Sequence, residues 1–276
     1  MREFFGFGGY QRVAEGFFSW QHLTFVTSLM IVMIGLAILL GKRMRNREHA
    51  GKLRVLMVAA ILIDALEILK IVMMCARGNN PMGWLYELPL FLCSIQLITI
   101  PLAAFSKGRV QEAALDFVLI FGILGAVLGT YGAAQNYGCY PVLSMDNVIS
   151  GVTHSISGFS SLYIAISGLT SMKKKNIPIT FAIIGFFCIA ASVANKLLDY
   201  NYMFLVRGDG TPYDVLYNLV GGHALLYAFG VVALFLLYIV AFYFTYFAIK
   251  GRGEEQTERA AEEPTEEKAE EPAGVQ

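Results

Sequence analysis

The stretch LTFVTSLMIVMIGLAILL, at residues 23–40, contains no charged residue and is followed at once by Lys42 and Arg43. A helix rises about 1.5 Å per residue and the hydrocarbon layer of a bilayer is about 30 Å thick, so about 20 apolar residues cross it. The stretch is therefore long enough to span a membrane. The residues before it lack the short basic region of a cleavable signal peptide, so we expect it to be retained.

The composition of the whole chain agrees with this first stretch. Of its 276 residues, 56% are hydrophobic and 15% charged, whereas a soluble domain is about 25% charged. These values exclude a soluble enzyme, a disordered protein and a nucleic-acid binder with a basic face. We predict an all-α membrane helix bundle with seven transmembrane helices. The candidate spans are 22–40, 55–74, 89–105, 113–131, 148–171, 177–195 and 221–249.

The net charge of zero conceals two oppositely charged parts. The segment 253–276 contains nine glutamates but only two bases, Arg259 and Lys268. It has almost no large apolar residue, so it cannot bury enough surface to fold alone. We therefore predict two parts, a seven-helix transmembrane domain at 1–252 and an acidic, disordered cytoplasmic tail at 253–276.

The loops between the spans predict the orientation. Thirteen bases follow the first, third, fifth and seventh spans, whereas at most five lie on the other side. An excess of Lys and Arg in short loops marks the cytoplasmic face, so we expect the N-terminus outside and the C-terminus inside a plasma membrane. The thirteen bases are Lys42, Arg43, Arg45, Arg47, Lys52, Arg54, Lys107, Arg109, Lys173, Lys174, Lys175, Lys250 and Arg252.

Ionisable residues inside a span are costly, and each is a candidate functional residue. The second span contains Asp64, Glu67 and Lys70, whose three-residue spacing lets them pair on one helix face. A structural charge network that fixes helix packing explains this set equally well. Further polar side chains are predicted in the outer half of other spans. They are His22, Cys93, Gln96, His154, Ser157, Asn195 and His223, with Asn201 in the loop beyond the sixth span.

Each of these residues also has an ordinary structural explanation. A buried thiol such as Cys93 is inert more often than nucleophilic, and His154 could bridge two helices by hydrogen bonding. A role as polar caps at the membrane interface explains His22 and His223. Hydrogen bonding to the backbone of a loop explains Asn195 and Asn201. Scattered histidines do not make a metal site, and no cofactor motif is present. A disulfide between Cys75 and Cys139, both in predicted outer loops, stays open.

Three blocks of sequence resemble a known family. They are LPLFLCSIQL at 88–97, His154 followed nine residues later by Tyr163, and NYMFL at 201–205. Together they resemble YwaF-like bacterial integral membrane proteins, which are similar to the eukaryotic transmembrane protein 164 family. His22 and Glu67 match that group's outer histidine and its acidic residue in the second helix.

Members of the transmembrane protein 164 family are described as membrane acyltransferases that act on phospholipids. The resemblance therefore implies membrane lipids as substrates, with Cys93 as nucleophile and His154 as its partner. A thiol attacks an ester as the thiolate, so a buried cysteine needs a base. Gln96 is suited to donate to the developing oxyanion, and Glu67 or Asn195 to orient the imidazole. A transporter or receptor-like binding protein that uses Asp64, Glu67 and Lys70 is the alternative function, and a structural membrane subunit is a third.

Overall fold

The computed structural model describes residues 2–170 and 172–262, with side chains as far as residue 250. These residues form helices, turns and loops without any strand, which confirms the predicted all-α class. Short 3-10 helices lie at Gly83–Tyr86, Lys174–Asn176 and Tyr202–Phe204. The α-helices of the described residues, numbered α1 to α9 in chain order, are Trp20–Met44, His49–Gly78, Gln96–Phe105, Gly108–Tyr131, Ala134–Cys139, Met145–Ser167, Ile177–Leu198, Tyr213–Leu219 and Ala224–Glu262.

The helix ends follow local side-chain chemistry. Ser19 caps α1 by accepting a hydrogen bond from the amide of His22, and Ser144 caps α6 by accepting from Asn147. A serine oxygen at this position satisfies one of the amides that the first turn leaves unpaired. At the other end of α6 the chain turns through Gly168, whose φ of 62° suits a residue without a side chain.

Four stretches of the described residues are long and apolar enough to cross a membrane. They lie at Trp20–Met44, Gly108–Cys139, Lys174–Leu198 and Ala224–Lys250, so they contain α1, α4, α7 and α9. The helices α2 and α6 are long but less apolar, because α2 contains charged residues and α6 contains many serines. Membrane-spanning helices are therefore present, as predicted from the sequence.

The predicted third span, 89–105, is wrong in its first part. Residues 88–95 form turns, and α3 begins only at Gln96. The hydroxyl of Ser94 donates to the carbonyl of Phe91 at 3.1 Å and accepts from the Phe91 amide at 3.0 Å. A side chain that bonds to nearby backbone in this way competes with helix formation. Cys93 therefore lies on a turn and not on a helix.

The seventh predicted span begins too early. Gly221 and Gly222 have φ values of 61° and 74°, which end the short helix α8 and keep both residues out of α9. At its other end, α9 continues to Glu262 and enters the acidic segment that begins at residue 253. The remainder of the predicted tail, 263–276, lies outside the described residues, so its disorder stays a prediction.

The centre of the bundle is formed by α4 and α6. A side chain on Gly122 of α4 would lie 2.6 Å from the backbone oxygen of Ser157 on α6, so glycine permits this close approach. Ser161 strengthens the same contact, because its hydroxyl donates to the carbonyl of Leu119 at 2.7 Å. Residues of α1 such as Ile31 and Leu39 are exposed, as expected for an outer helix in contact with lipid.

The two ends of the bundle differ in what covers them. At one end the N-terminal segment 2–18 lies on the end of α2 and the start of α6, and the amide of Met145 donates to the carbonyl of Phe4 at 2.9 Å. We call this the capped end. The opposite end comprises the starts of α2, α4 and α7 and the end of α6, where Lys52 reaches Gly168 and Lys173 pairs with Glu112. We call this the basic end.

Candidate functional site

The thiol of Cys93 and the imidazole of His154 are close enough to interact electrostatically, and the two side chains lie against α4 one helical turn apart, beside Gly125 and Gly129. The turn before α3 supplies Cys93, and the half of α6 nearer the capped end supplies His154. The Nδ1 atom of His154 is 2.7 Å from the carbonyl oxygen of Ser150, one helical turn earlier. A carbonyl oxygen can only accept, so Nδ1 carries the hydrogen and Nε2 keeps its lone pair. This tautomer can take a proton from a thiol.

Glycines of α4 form the wall behind this pair. The imidazole of His154 lies directly against Gly129, so any side chain on Gly129 would overlap it. A methyl group on Gly125 would lie 3.6 Å from Cβ of Cys93, an ordinary contact distance. The fold therefore depends on a glycine at 129 to admit the histidine, whereas a glycine at 125 leaves a small space unfilled.

Two buried polar atoms near the pair have no hydrogen-bond partner among the described residues. They are Nε2 of Gln96 and Oγ of Ser157. The hydroxyl of Thr99 lies 3.1 Å from Oε1 of Gln96 and 3.2 Å from the carbonyl oxygen of Ile95, and it can donate its one hydrogen to only one of them. A buried donor without a partner costs free energy, and such groups are frequent where a ligand completes the bond.

An ion cluster lies close to the imidazole. Lys70 pairs with Glu67 at 2.6 Å and with Glu87 at 3.0 Å. Its positive charge interacts electrostatically with His154. The predicted set of Asp64, Glu67 and Lys70 is thus only partly correct. Asp64 makes no ion pair among the described residues, and Glu87, from the loop before residue 88, takes its place.

The orientation of His154 comes from the Ser150 carbonyl and not from the side chains suggested by the sequence. Glu67 is occupied by Lys70. Asn195 binds the backbone of Tyr202, accepting from its amide at 2.6 Å and donating to its carbonyl at 3.0 Å.

Three other predicted residues lie away from the pair or are occupied by backbone. His22 is fully buried, accepts from the amide of Phe18 and donates through Nε2 to the carbonyl of Thr130 at 3.1 Å. Asn201 donates to the carbonyl of Arg207 at 2.7 Å and so closes the loop beyond α7. His223 is exposed at the start of α9. These contacts match the structural roles considered for them, as caps and loop ligands.

Comparison with protein-family models identifies the family of the chain. The TMEM164 family model matches residues 17–246, which include every residue of the site. The chain belongs to the TMEM164 family. No curated protein and no solved structure matches it. The predicted resemblance to the transmembrane protein 164 family is confirmed, whereas membership of a YwaF-like subgroup stays a prediction.

This TMEM164 family member also has a polar cluster that the sequence did not indicate. At the capped end Arg77 donates to both oxygens of Asp146, at 2.7 and 3.0 Å, and Tyr10 donates to the same carboxylate at 2.5 Å. Burial opposes ionisation of Asp146, but the hydrogen bonds from Arg77 and Tyr10 outweigh it and lower the pKa of the carboxyl group. Burial, together with Asp146, raises the pKa of Tyr10 to about 12. These bonds hold the N-terminal segment against Asp146, which lies eight residues before His154 on α6.

Sequence reasoning missed one further feature, the position of Tyr213. Tyr213 of α8 lies close enough to Cys93 to feel its charge, and it stacks on Phe204 with ring centroids 5.6 Å apart. Cys75 and Cys139 are free thiols in the structure, without the disulfide that the sequence left open. Among the described residues no group of three His, Cys, Asp or Glu side chains is placed to hold a metal ion.

Proposed function

We propose that this TMEM164 family member transfers acyl chains of membrane phospholipids, with Cys93 as nucleophile and His154 as general base. The observation that carries the proposal is the proximity of the Cys93 thiol to an imidazole whose Nδ1 is held by the Ser150 carbonyl. A nucleophile, a base and a group that orients the base form the arrangement on which covalent acyl transfer depends.

The proposed reaction begins when His154 Nε2 takes the proton of the Cys93 thiol. The thiolate then forms a bond to the carbonyl carbon of a phospholipid ester, and the carbonyl π electrons move onto the oxygen. When these electrons return, the ester C–O bond breaks and the lysophospholipid oxygen takes the proton from His154. An acceptor hydroxyl next gives its proton to His154 and attacks the thioester, which releases Cys93. Water as the acceptor gives hydrolysis.

Gln96 is suited to assist the first step. Its buried NH₂ group has a hydrogen without a partner among the described residues, and Cys93 lies three positions earlier in the chain. A donor that is already fixed in place stabilises a developing oxyanion without reorganisation.

We further propose that the chain crosses a plasma membrane seven times, with the basic end in the cytoplasm and the capped end outside. The thirteen bases of the loops support this orientation. Cys139 is exposed and lies beside the capped end, so a membrane-impermeant maleimide should label it in intact cells. Labelling of Cys139 only after lysis would reverse the orientation.

The test of the chemistry compares the phospholipid acyl composition of cells that express the protein with that of cells that express variants. We expect the wild-type chain to change the composition, and Cys93→Ala and His154→Ala each to abolish the change. Cys188→Ala removes a buried thiol elsewhere, on α7, and should act like the wild type. If both site variants act like the wild type, the proposal fails.

The transporter alternative predicts a different pattern. Uptake or binding of a solute would survive Cys93→Ala and collapse with Glu67→Gln. Lys70 already pairs with two carboxylates of the protein, which fits a structural network. Its ammonium group is therefore engaged within the protein and is not available to bind a solute. We therefore favour the acyl-transfer function.

A further inference from the structure

The hydroxyl of Ser157 stands out among the serines of α6. Ser155 and Ser160 each donate to the carbonyl four residues earlier, at 2.8 Å, and Ser161 donates across to α4. Ser157 is only 3% exposed, yet its Oγ atom has no partner among the described residues. Its hydroxyl is therefore a buried donor that makes no hydrogen bond among the described residues.

The same hydroxyl lies beside Cys93. A methyl group on Gly125 would lie 3.9 Å from Oγ of Ser157, 3.6 Å from Cβ of Cys93 and 3.7 Å from Cα of Cys93. Ser157 of α6 and Cys93 of the turn before α3 therefore face the same position on α4. Glycine at this position places no side chain against either residue.

We infer that Ser157 is a catalytic residue whose hydroxyl donates to the carbonyl oxygen of the ester that Cys93 attacks. The inference rests on the proposed function. As the Cys93 sulfur bonds to the carbonyl carbon, the π electrons move onto the oxygen, and the Ser157 hydroxyl stabilises the charge. The charge disappears when the ester C–O bond breaks, so Ser157 keeps its own proton throughout.

Ser157 and the neighbouring Gly125 call for different substitutions. Ser157→Ala removes the donor and keeps the packing, because the hydroxyl has no hydrogen-bond partner among the described residues. Removal of one oxyanion donor typically lowers kcat by about 10²- to 10³-fold. Gly125→Ala instead places a methyl group at ordinary contact distance from both Ser157 and Cys93, where it narrows the approach of the ester. Both variants should fold, and both should lose turnover.

The chain offers a matched control for each substitution. Ser160→Ala removes another buried serine hydroxyl of α6, one that bonds only within its own helix. Gly185→Ala adds a methyl group to α7 at a place where no atom lies within 4 Å. Neither control should change turnover, and all four variants should unfold at temperatures close to that of the wild type.

The experiment uses the purified full chain in lipid nanodiscs with a phospholipid that has a fluorescent acyl chain. Two rates are measured for each variant, turnover of the phospholipid and alkylation of the Cys93 peptide by iodoacetamide, read by mass spectrometry. Alkylation by iodoacetamide develops no oxyanion. We expect Ser157→Ala to lower kcat about 10²-fold, with KM and the alkylation rate near the wild-type values. His154→Ala should lower both rates.

The outcomes distinguish the inference about Ser157 from the proposed acyl-transfer function. If Ser157→Ala slows turnover and alkylation equally, Ser157 acts on the thiol or on the fold and the inference is wrong. If Gly125→Ala or Ser157→Ala turns over phospholipid like the wild type while Cys93→Ala is inactive, the inference fails and the proposed function stands. If phospholipid turnover survives Cys93→Ala, both the inference about Ser157 and the proposed function are wrong.

Discussion

The capped end and the basic end both contain ion pairs, but they use them differently. At the capped end the pair of Arg77 and Asp146 is largely enclosed, with 15% and 12% of the side-chain surfaces exposed. At the basic end Lys173 and Lys175 share Glu112 while 44% and 55% of their surfaces are exposed. Solvated pairs contribute little to stability, whereas an enclosed pair is costly to break. The capped end therefore holds a fixed geometry, and the basic end presents charge to solvent.

This difference matters because the site lies towards the capped end. His154 follows Asp146 by eight residues on α6, and Lys70 precedes Arg77 by seven on α2. A clamp between the ends of these two helices fixes the elements that bring the imidazole, the Lys70 cluster and Cys93 together. The basic end has no comparable connection to the site, so disturbance there should leave the site intact.

The largest effect is expected from Gly129→Ala. The added methyl group would overlap the imidazole of His154, so the ring or the helix must move. Overpacking costs about 1–3 kcal/mol of stability, and a displacement of about 1 Å at a reacting group can cost about 10²-fold in rate. Phospholipid turnover and thermal unfolding measure the two effects.

Gly51→Ala is the matched control for this substitution at the basic end. Its methyl group would lie 3.6 Å from the nearest atom, Cβ of Arg47, on the exposed start of α2. We expect wild-type turnover and an equal or slightly higher unfolding temperature, since alanine favours a helix over glycine by up to about 1 kcal/mol. Equal losses in the two variants would remove the distinction between the ends.

An intermediate effect on turnover is expected from Asp146→Asn, which leaves Arg77 without its carboxylate partner and acts on the site only through the ends of α2 and α6. Removal of one member of an enclosed pair should lower the free energy of unfolding by about 3 kcal/mol. The pKa of Asp146 is lowered in the fold, so its stabilising contribution is present above about pH 4 and is lost as the pH falls through the folded-state value. Thermal unfolding from pH 7 to pH 3 should therefore show a loss in the wild type that the variant lacks. The same loss in both would contradict the account.

The smallest effect is expected from Glu112→Gln. This change breaks the contacts to Lys173 at 2.7 Å and Lys175 at 3.3 Å, both on an exposed surface. The free energy of unfolding should change little, because solvated ion pairs contribute little to stability, and turnover should stay at the wild-type rate. A loss as large as that of Asp146→Asn would show that the basic end is also part of the rigid frame.

Sequence reasoning succeeded where a property belongs to one continuous stretch. The apolar run at 23–40 lies within α1, and the apolar run at 113–131 lies within α4. It failed at 88–95, because this apolar segment is broken by bonds from a single side chain, that of Ser94. Apolar composition alone does not reveal such local competition.

The sequence indicated candidate residues for the site but not their contacts. Intramembrane polar side chains and a family resemblance pointed to Cys93 and His154 as nucleophile and base, and these roles stay a prediction. The close approach of Gly129 to His154, the pairing of Lys70 with Glu87 and the isolation of Ser157 depend on how α2, α4 and α6 pack. Contacts between distant segments leave no pattern in a single sequence.

The most direct test of the account is a search for the acyl-thioester itself. The purified chain is incubated with phospholipid without an acceptor, quenched in acid and digested, and the cysteine peptides are weighed. We predict an acyl group on the Cys93 peptide of the wild type, far less on that of His154→Ala, and none on the peptides of Cys75, Cys139 or Cys188. The account would be contradicted if the wild-type chain turned over phospholipid without any acyl group on Cys93 and the Cys93→Ala variant were still active.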